Sequence, residues 1–155
     1  VKNGDLEGVG KLLDAVVPTK AIGRIPHNDK FEILDVEMKN DPLCYSGGGR
    51  VRVGVAGGKI CDWFMGGGLK LMTVPFITFH SVGDNLTDPE GSQRLLDVAA
   101  ATDKTFKRVG VGLDVDADMW HALSQEPGHD LILRHVLKWI LARTPEFFGR
   151  ENQLN

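Results

Sequence analysis

Two short apolar runs in the C-terminal half of the chain have the character of buried strands. Residues 74–80, VPFITFH, form a continuous apolar segment that is bounded by turn residues. Such a segment is typical of a strand that is covered on both faces in a parallel sheet. Residues 105–111 predict the next strand.

Two helices are predicted to alternate with these strands. Asp88, Pro89 and Glu90 provide an N-cap, a first-turn proline and a first-turn acid, so a helix begins here and runs to about Ala101. Residues 129–143 place apolar side chains on one face and predict the clearest helix of the chain. Because strands alternate with helices, the sequence predicts an α/β fold with a right-handed parallel connection.

The N-terminal half follows a different pattern. Apolar positions in residues 5–17 have helical spacing, and residues 29–39 predict a second short helix. Residues 46–69 contain two triple-glycine runs, whose backbone freedom disfavours regular structure, so this segment is interpreted as irregular. These patterns divide the chain into a helical, glycine-rich region, 1–70, and an α/β region, 71–155.

Composition and charge exclude several classes of function. Apolar residues make up 42% of the chain, the net charge is −3, and no basic run exceeds two residues, so a nucleic-acid partner is not expected. The longest uncharged apolar stretch, 71–79, is far shorter than a membrane span. Cys44 and Cys61 lack metal or redox spacing and are interpreted as free, buried thiols in a reducing compartment. No metal or cofactor is predicted.

Asp84 is the first candidate for chemistry. It follows the predicted strand at 74–80, and the C-terminal ends of parallel strands are where open α/β sheets build their sites. The alternative is an ordinary turn residue, because glycine precedes Asp84 and asparagine follows it. Asp88 competes for the same role, but its neighbours favour a helix cap.

His121 is the second candidate and lies 37 residues after Asp84. A neutral imidazole can take a proton from a serine hydroxyl, while an acid at its other nitrogen fixes the tautomer. The alternative is a partly buried loop histidine. The other histidines are interpreted as structural or stay unassigned: His80 as a local hydrogen-bonding residue, His129 and His135 as surface or packing residues, and His27 as a residue without a companion acid.

The nucleophile that would complete such a triad is missing. No G-x-S-x-G turn occurs in the 155 residues, and Ser81, Ser92 and Ser124 stand in other contexts. The acidic stretch LDVDAD resembles the opening of a calcium loop, but Met119 stands where that loop needs glycine. A solvated acidic loop is therefore favoured there.

The segment 74–107 followed by MWHALSQEP, 119–127, resembles the C-terminal part of the monoacylglycerol lipase-like α/β hydrolases. It is most similar to the plant branch that is labelled lysophospholipase or caffeoylshikimate esterase-like. The DKT at 103–105 and the MWH at 119–121 are the most specific pieces. The resemblance extends more loosely over an upstream stretch that resembles the family's helical cap, so it covers roughly residues 12–144.

The resemblance implies a serine ester hydrolase that acts on acylglycerol or lysophospholipid-type esters. Asp84 matches the family's triad acid and His121 its triad base, whereas nothing matches the nucleophile or the oxyanion-hole motif. Region 1–70 would be a partial cap or lid, and 71–155 the C-terminal part of the hydrolase core. A cytoplasmic protein with peripheral membrane contact through the cap is expected.

Two departures from the family pattern accompany this resemblance. Glycine-rich sequence replaces much of an expected helix before the strand at 74–80, and the loop before MWH is longer than usual. These departures, and the missing initiator Met, suggest a truncated or mis-spliced product. The alternative function is an inactive hydrolase fragment that acts as a binding module or self-associates through exposed apolar surface. A small ligand- or calcium-binding module ranks last.

Overall fold

The computed structural model describes residues 3–24, 27–28, 30–45, 47–110 and 118–144, with side chains from residue 8 onward. The chain divides into two compact units, Val1–Leu71 and Met72–Asn155, each of which is described by itself. This division lies next to the predicted one, while the interpretation of the first unit as a cap stays a prediction. Most of the predicted acidic loop, at 113–117, lies outside the described residues.

The first unit is helical. Its elements are α1 (Asn3–Val16), α2 (Glu32–Asn40), α3 (Val51–Met65) and a short 3₁₀ turn (Gly68–Leu71). Helices α1 and α2 lie within a few residues of the positions that the apolar spacing predicts. Helix α1 packs against α3, and a cavity of about 370 Å³ lies between the two helices, lined mainly by apolar atoms.

The interpretation of residues 46–69 as irregular is wrong, because α3 spans most of this segment. Interior glycines cost a helix about 1 kcal/mol each relative to alanine, so the sequence pattern argued against it. Partners from elsewhere in the unit oppose this cost. The N–H groups of Val51 and Arg52 in the first turn donate to the carbonyls of Lys20 and Pro18, at 3.1 and 3.0 Å. These bonds satisfy donors that a helix N-terminus otherwise leaves without partners.

The second unit contains the predicted α/β arrangement. Strand β1 (Phe76–Ser81) pairs in parallel with β2 (Lys104–Val109), with Phe76 opposite Lys104 and Ser81 opposite Val109. Gly110, at φ 92°, ends the second strand in a conformation that favours glycine. The prediction of two parallel strands is therefore confirmed, with boundaries shifted by one or two residues.

Both predicted helices of this unit are present. Helix α4 (Pro89–Val98) begins with Asp88 as its N-cap, whose carboxylate accepts the N–H of Glu90 at 2.9 Å. The prediction that Asp88 serves the helix start is thus confirmed. Helix α5 (His129–Leu141) follows Gly128, which has a φ of 97°.

Two apolar clusters cover the two faces of the small sheet. Phe76 and Phe79 are an odd number of positions apart on β1, so their side chains point to opposite faces. Phe76 belongs to one cluster and Phe79 packs against the other. The first cluster consists of Phe76, Ala99 and Ala101, with Met72 and Leu95 beside them. The second consists of Val109, Met119 and Ile132, with Phe79, Leu123 and Leu131 beside them. Met119 thereby fixes the start of the His121 segment in the core.

Candidate functional site

Asp84 lies in a tight loop immediately after β1, and its own carboxylate folds that loop. Oδ1 accepts the backbone N–H groups of Leu86 and Thr87 at 2.8 and 3.0 Å, and Oδ2 accepts the Thr87 hydroxyl at 2.7 Å. The side chain is only 4% exposed. The turn interpretation of Asp84 is therefore correct as far as it goes. This turn role does not exclude a role as the acid of an acid–base pair, because Oδ2 also faces the histidine loop.

The structure brings the two candidate residues together. Nδ1 of His121 lies 2.9 Å from Oδ2 of Asp84. An ionised carboxylate only accepts hydrogen bonds, so Nδ1 carries the proton in the neutral ring and Nε2 is left with its lone pair. The His121 side chain is 41% exposed, and within the described part of the chain its hydrogen bond to a side chain is made by Nδ1 and not by Nε2. The basic nitrogen is thus available to a reacting group.

The surroundings of Asp84 keep it ionised. Burial by itself raises the pKa of this carboxyl group, but the hydrogen bonds that it accepts from His121, Thr87 and Leu86 outweigh burial. The net result is a pKa far below the ordinary value of 3.8. A carboxylate that stays charged near neutral pH orients a neutral imidazole and stabilises the imidazolium once the ring takes a proton.

A second histidine, His80, contacts the same carboxylate from the end of β1. Its Nε2 lies 3.2 Å from Oδ2 of Asp84 and 3.2 Å from the carbonyl oxygen of Thr87. Since both neighbours are acceptors, Nε2 carries the proton and Nδ1 accepts the hydroxyl of Ser92 at 2.8 Å. Both ring nitrogens are engaged and the side chain is 12% exposed. His80 therefore braces the acid loop, and His121 is the histidine that faces outward.

The loop that carries His121 is tied to the acid side by two further contacts. The indole N–H of Trp120 donates to Oδ1 of Asn85 at 2.9 Å, and the hydroxyl of Ser81 donates to the carbonyl of Met119 at 2.5 Å. These contacts place the residues before His121 beside the end of β1. The extra length of the preceding loop therefore does not separate Asp84 from His121.

Glu126 is a residue of this region that the sequence analysis missed. Its side chain is fully buried and accepts the N–H groups of Trp120, His121 and Ala122. The sequence shows only a glutamate before Pro127 and Gly128, which is typical of an exposed turn. No feature of the residue itself indicated burial. Its position shortly after a candidate histidine was the available hint.

Other predicted assignments have mixed outcomes. His27 does have a companion acid, since its Nδ1 lies 2.8 Å from Oδ2 of Asp35, so the prediction of none is wrong. The sequence could not show this pair because its partners are eight positions apart and no local pattern relates them. Cys44 and Cys61 are free but exposed, which corrects the expectation of buried thiols. Ser81 is buried and Ser92 bonds His80, so neither is presented as an outward-facing nucleophile.

Among the described residues, no three His, Cys, Asp or Glu side chains are grouped so as to hold a metal ion. No described helix is both long and apolar enough to cross a bilayer.

Comparison with known proteins places this site in context. The family model described as Serine aminopeptidase, S33 (Hydrolase_4) matches residues 7–128. Among solved structures, the chain is similar to the monoacylglycerol lipase of Paleococcus ferrophilus, with a TM-score of 0.72 and 16% sequence identity. That match covers 92% of this chain and 54% of the lipase, so the chain spans about half the length of that structure. At this identity the match shows an α/β hydrolase-like fold. No curated protein matches the chain.

Proposed function

The chain belongs to the Hydrolase_4 (serine aminopeptidase S33) family, and from this premise we propose that it forms the acid–base half of a lipid ester hydrolase. The substrates would be acylglycerol or lysophospholipid-type esters. Similarity in fold to a monoacylglycerol lipase supports this choice among the chemistries of the family.

The observation that carries the proposal is the bond between Asp84 and His121. Its length of 2.9 Å, the burial of the acid and the exposure of the imidazole are the three properties that a general base and its orienting acid require. Because the pKa of Asp84 is lowered, the carboxyl group is ionised at the neutral pH at which His121 would act as a base. These features arise from two loops that are distant in sequence.

In this proposal His121 acts twice. Its Nε2 first takes the proton of a serine hydroxyl as the oxygen attacks the ester carbonyl, which gives an acyl-enzyme and releases the alcohol with that proton. It then takes a proton from the water that attacks the acyl-enzyme and returns it to the serine oxygen as the acid leaves. The serine is not supplied by a G-x-S-x-G turn of these 155 residues, so in this proposal the nucleophile comes from outside them.

Hydrolysis of p-nitrophenyl esters by the 155-residue chain tests the acid–base pair. Without the serine, Nε2 of His121 can still act as a general base that activates water on these reactive esters. We therefore expect slow turnover above buffer that is abolished in His121→Ala and reduced in Asp84→Asn. His129→Ala is the matched control, because His129 lies in the same unit and its ring hydrogen-bonds the backbone carbonyl of Glu126 rather than the Asp84 carboxylate. Equal rates in all variants would contradict the proposal and favour the binding-module alternative described below.

A fluorophosphonate probe distinguishes the source of the nucleophile. We expect no labelling of the isolated chain. Labelling that disappears in His121→Ala would show that a serine within these residues has been recruited, and labelled-peptide mapping would identify it. Ser124, which is exposed, is the serine to examine first in that case.

The finer proposal is that the chain belongs to the branch that resembles plant lysophospholipase or caffeoylshikimate esterase. The two most specific motifs have structural roles that are consistent with it. Asp103 of the DKT motif forms a bidentate ion pair with Arg143. Met119 and Trp120 of the MWH motif are buried. Comparison of rates on a monoacylglycerol, a lysophosphatidylcholine and a caffeoyl ester would test this. A caffeoyl ester and a lysophospholipid that both go unhydrolysed, beside an active monoacylglycerol, would contradict it.

The second candidate function is a binding module that associates with itself or with a partner. Helix α5 exposes Leu133 (51%), Leu137 (54%) and Ile140 (41%), and the described sheet has only two strands, which leaves outer edges without a described neighbour. Sedimentation of the wild-type chain should show oligomers that Leu137→Glu reduces, with Lys138→Glu as a control on the same helix. A monomeric wild type would contradict this candidate.

Peripheral membrane contact, with the protein otherwise cytoplasmic, is also a proposal. It is supported by the apolar side chains that α1 and α3 expose, which include Leu12 (65%), Val16 (70%), Ile60 (55%) and Trp63 (56%). Co-sedimentation with phosphatidylcholine vesicles, alone and with added phosphatidylserine, measures it. Trp63→Ser should weaken binding to both, whereas Trp139→Ser should not. Equal binding of the two variants would contradict contact through this unit.

A further inference from the structure

The carboxylate of Glu126 has no role in the proposed chemistry, although it is the most deeply buried charged group near His121. Its residue is 0% exposed. Oε1 accepts the N–H groups of His121 and Ala122 at 2.9 and 2.8 Å, and Oε2 accepts that of Trp120 at 2.5 Å. Three consecutive backbone donors therefore converge on one side chain. Both peptide units that flank His121 are fixed by it.

The cost of burying the charge of Glu126 must be offset by hydrogen bonds, because charged side chains are almost never buried without partners. Hydrogen bonds from N–H groups to a carboxylate are shorter and stronger than neutral ones. The backbone of Glu126 is also hydrogen-bonded. Its N–H donates to the carbonyl of Ala122 at 3.0 Å, and its carbonyl accepts the N–H of His129 at 2.9 Å. The carboxylate thus connects the histidine loop to the start of α5.

We propose that Glu126 is the positioning residue of His121, holding the loop so that Nδ1 stays on Asp84 and Nε2 faces outward. The proposal rests on the role given above to the Asp84–His121 pair. Glu126 acts through the backbone, because its carboxylate accepts the N–H groups of Trp120, His121 and Ala122. Its contribution is to reduce the freedom of the one ring that must meet both the acid and the nucleophile.

The geometry specifies glutamate rather than a similar residue. Glutamine has one carbonyl oxygen, so in Glu126→Gln an amide N–H₂ would face at least one backbone N–H, and a donor would oppose a donor. Aspartate is shorter by one methylene and does not reach the same three donors. Glu126→Gln therefore removes acceptor capacity while it keeps the volume of the side chain. The matched control is Glu90→Gln, whose side chain is 70% exposed.

The test is solvent exchange of ring and backbone protons in the ¹⁵N-labelled 155-residue chain, measured by NMR. The Nδ1–H proton of His121 is assigned by its absence in His121→Gln. In Glu126→Gln we expect this proton and the amide protons of residues 120–122 to exchange about 10- to 100-fold faster than in the wild type. Amide protons of β1 and β2 should keep their protection. Glu90→Gln should match the wild type.

Two results would overturn the positioning role. One is unchanged exchange of the Nδ1–H proton in Glu126→Gln while the amides of 120–122 accelerate, because Glu126 would then fix the backbone without affecting the ring. The other is no change at any of these sites. Absence of a protected Nδ1–H in the wild type would instead contradict the Asp84–His121 pair, and with it both the proposed function and the role of Glu126.

A second measurement decides the matter if Glu126→Gln also loses the protection of β1 and β2 and is therefore unfolded. In the wild type, after correction for intrinsic rates, the Nδ1–H of His121 and the amides of 120–122 should exchange through the same opening reaction and respond equally to low urea. A ring proton that exchanges about tenfold faster than those amides would overturn the proposal, since the ring would then leave Asp84 while the loop stays closed.

Discussion

The acid loop and the histidine loop of the site are stabilised in different ways. In the acid loop the candidate functional side chain also stabilises the loop, because the carboxylate of Asp84 accepts the N–H groups of Leu86 and Thr87 that shape its own turn. In the histidine loop the two tasks are separate. His121 faces solvent, and the carboxylate of Glu126 accepts the N–H groups that shape the turn.

This difference follows from the chemistry of the two residues. A carboxylate has two oxygens with several acceptor positions, so one oxygen can serve the backbone while the other faces the imidazole. An imidazole that must exchange protons at Nε2 and donate at Nδ1 has no nitrogen left for the backbone. Its loop therefore needs a carboxylate from elsewhere. Substitutions in the two loops should accordingly have different combinations of effects on stability and on the site.

The largest effect is expected from removal of the support in the histidine loop. Glu126→Ala leaves three backbone N–H groups without their acceptor and should lower the free energy of unfolding by about 3 kcal/mol. Urea unfolding followed by circular dichroism measures this. Glu90→Ala, which removes an exposed glutamate, should change stability by less than about 0.5 kcal/mol. A loss in Glu126→Ala as small as that in Glu90→Ala would contradict support of the histidine loop by the Glu126 carboxylate.

Asp84→Asn should have the next largest effect, and it should alter structure and site together. The asparagine carbonyl can still accept from Leu86 and Thr87, but its amide group would face the Thr87 hydroxyl and His121. We expect a loss of about 2 kcal/mol near neutral pH. Asp97→Asn, an exposed aspartate of α4, is the control. A stable Asp84→Asn chain would mean that the carboxylate does not shape its loop.

The same substitution should change how stability depends on pH. The folded-state pKa of Asp84 lies below 3.8, so its ionisation contributes stability that is fully present above the unfolded value and is lost as the pH falls through the folded one. The difference in unfolding free energy between wild type and Asp84→Asn should therefore shrink on going from about pH 6 to about pH 2. A difference that stays constant or grows toward acid would contradict the lowered pKa.

A smaller effect is expected from loss of the hydrogen bond between Ser92 and His80, the histidine that contacts the acid loop. Ser92→Ala removes the hydroxyl that donates to Nδ1 of His80 and should cost about 1 kcal/mol, because that nitrogen is only partly reached by water. The Nδ1–H proton of His121 should keep its protection, since His80 acts on the acid loop. Ser124→Ala serves as the exposed control. Loss of the His121 proton in Ser92→Ala would show that the brace serves both loops.

The smallest effect is expected at the contact that joins the two loops. Asn85→Ala removes the acceptor of the Trp120 indole N–H and should cost about 0.5 kcal/mol, with an upfield shift of that indole proton in NMR spectra. Asn40→Ala, at the end of α2, controls for the loss of an amide. An unshifted indole proton would contradict this contact and would leave Ser81 as the described link from β1 to Met119.

Much of the second unit could be predicted because its signals are local. The apolar run at 74–80, the cap at Asp88 and the apolar face of 129–143 each reflect the geometry of a single element. The prediction that residues 46–69 are irregular was wrong because it also relied on a local signal alone. Glycine content is a local signal, whereas the carbonyls of Pro18 and Lys20 accept N–H groups of the first turn of α3 from outside the segment.

The candidate site divides along the same line. Asp84 and His121 were indicated by their positions after a strand and before a helix, and by the resemblance to a hydrolase family. Their separation of 2.9 Å and the shared contact of His80 with the same oxygen were not available from the sequence. The sequence did not indicate the structural role of Glu126, because a glutamate with these neighbours is typical of a surface turn.

The sequence by itself determined the α/β class, the order of strands and helices in the second unit, and the residue types from which an acid–base pair can be made. These depend on periodicity and on capping, which act over a few neighbouring positions. Only the tertiary structure decided which histidine contacts Asp84 while its ring is exposed, which carboxylate accepts the backbone N–H groups of the His121 loop, and that a glycine-rich segment is helical. Each of these depends on hydrogen bonds between residues that are distant in sequence, and local pattern does not encode such partners.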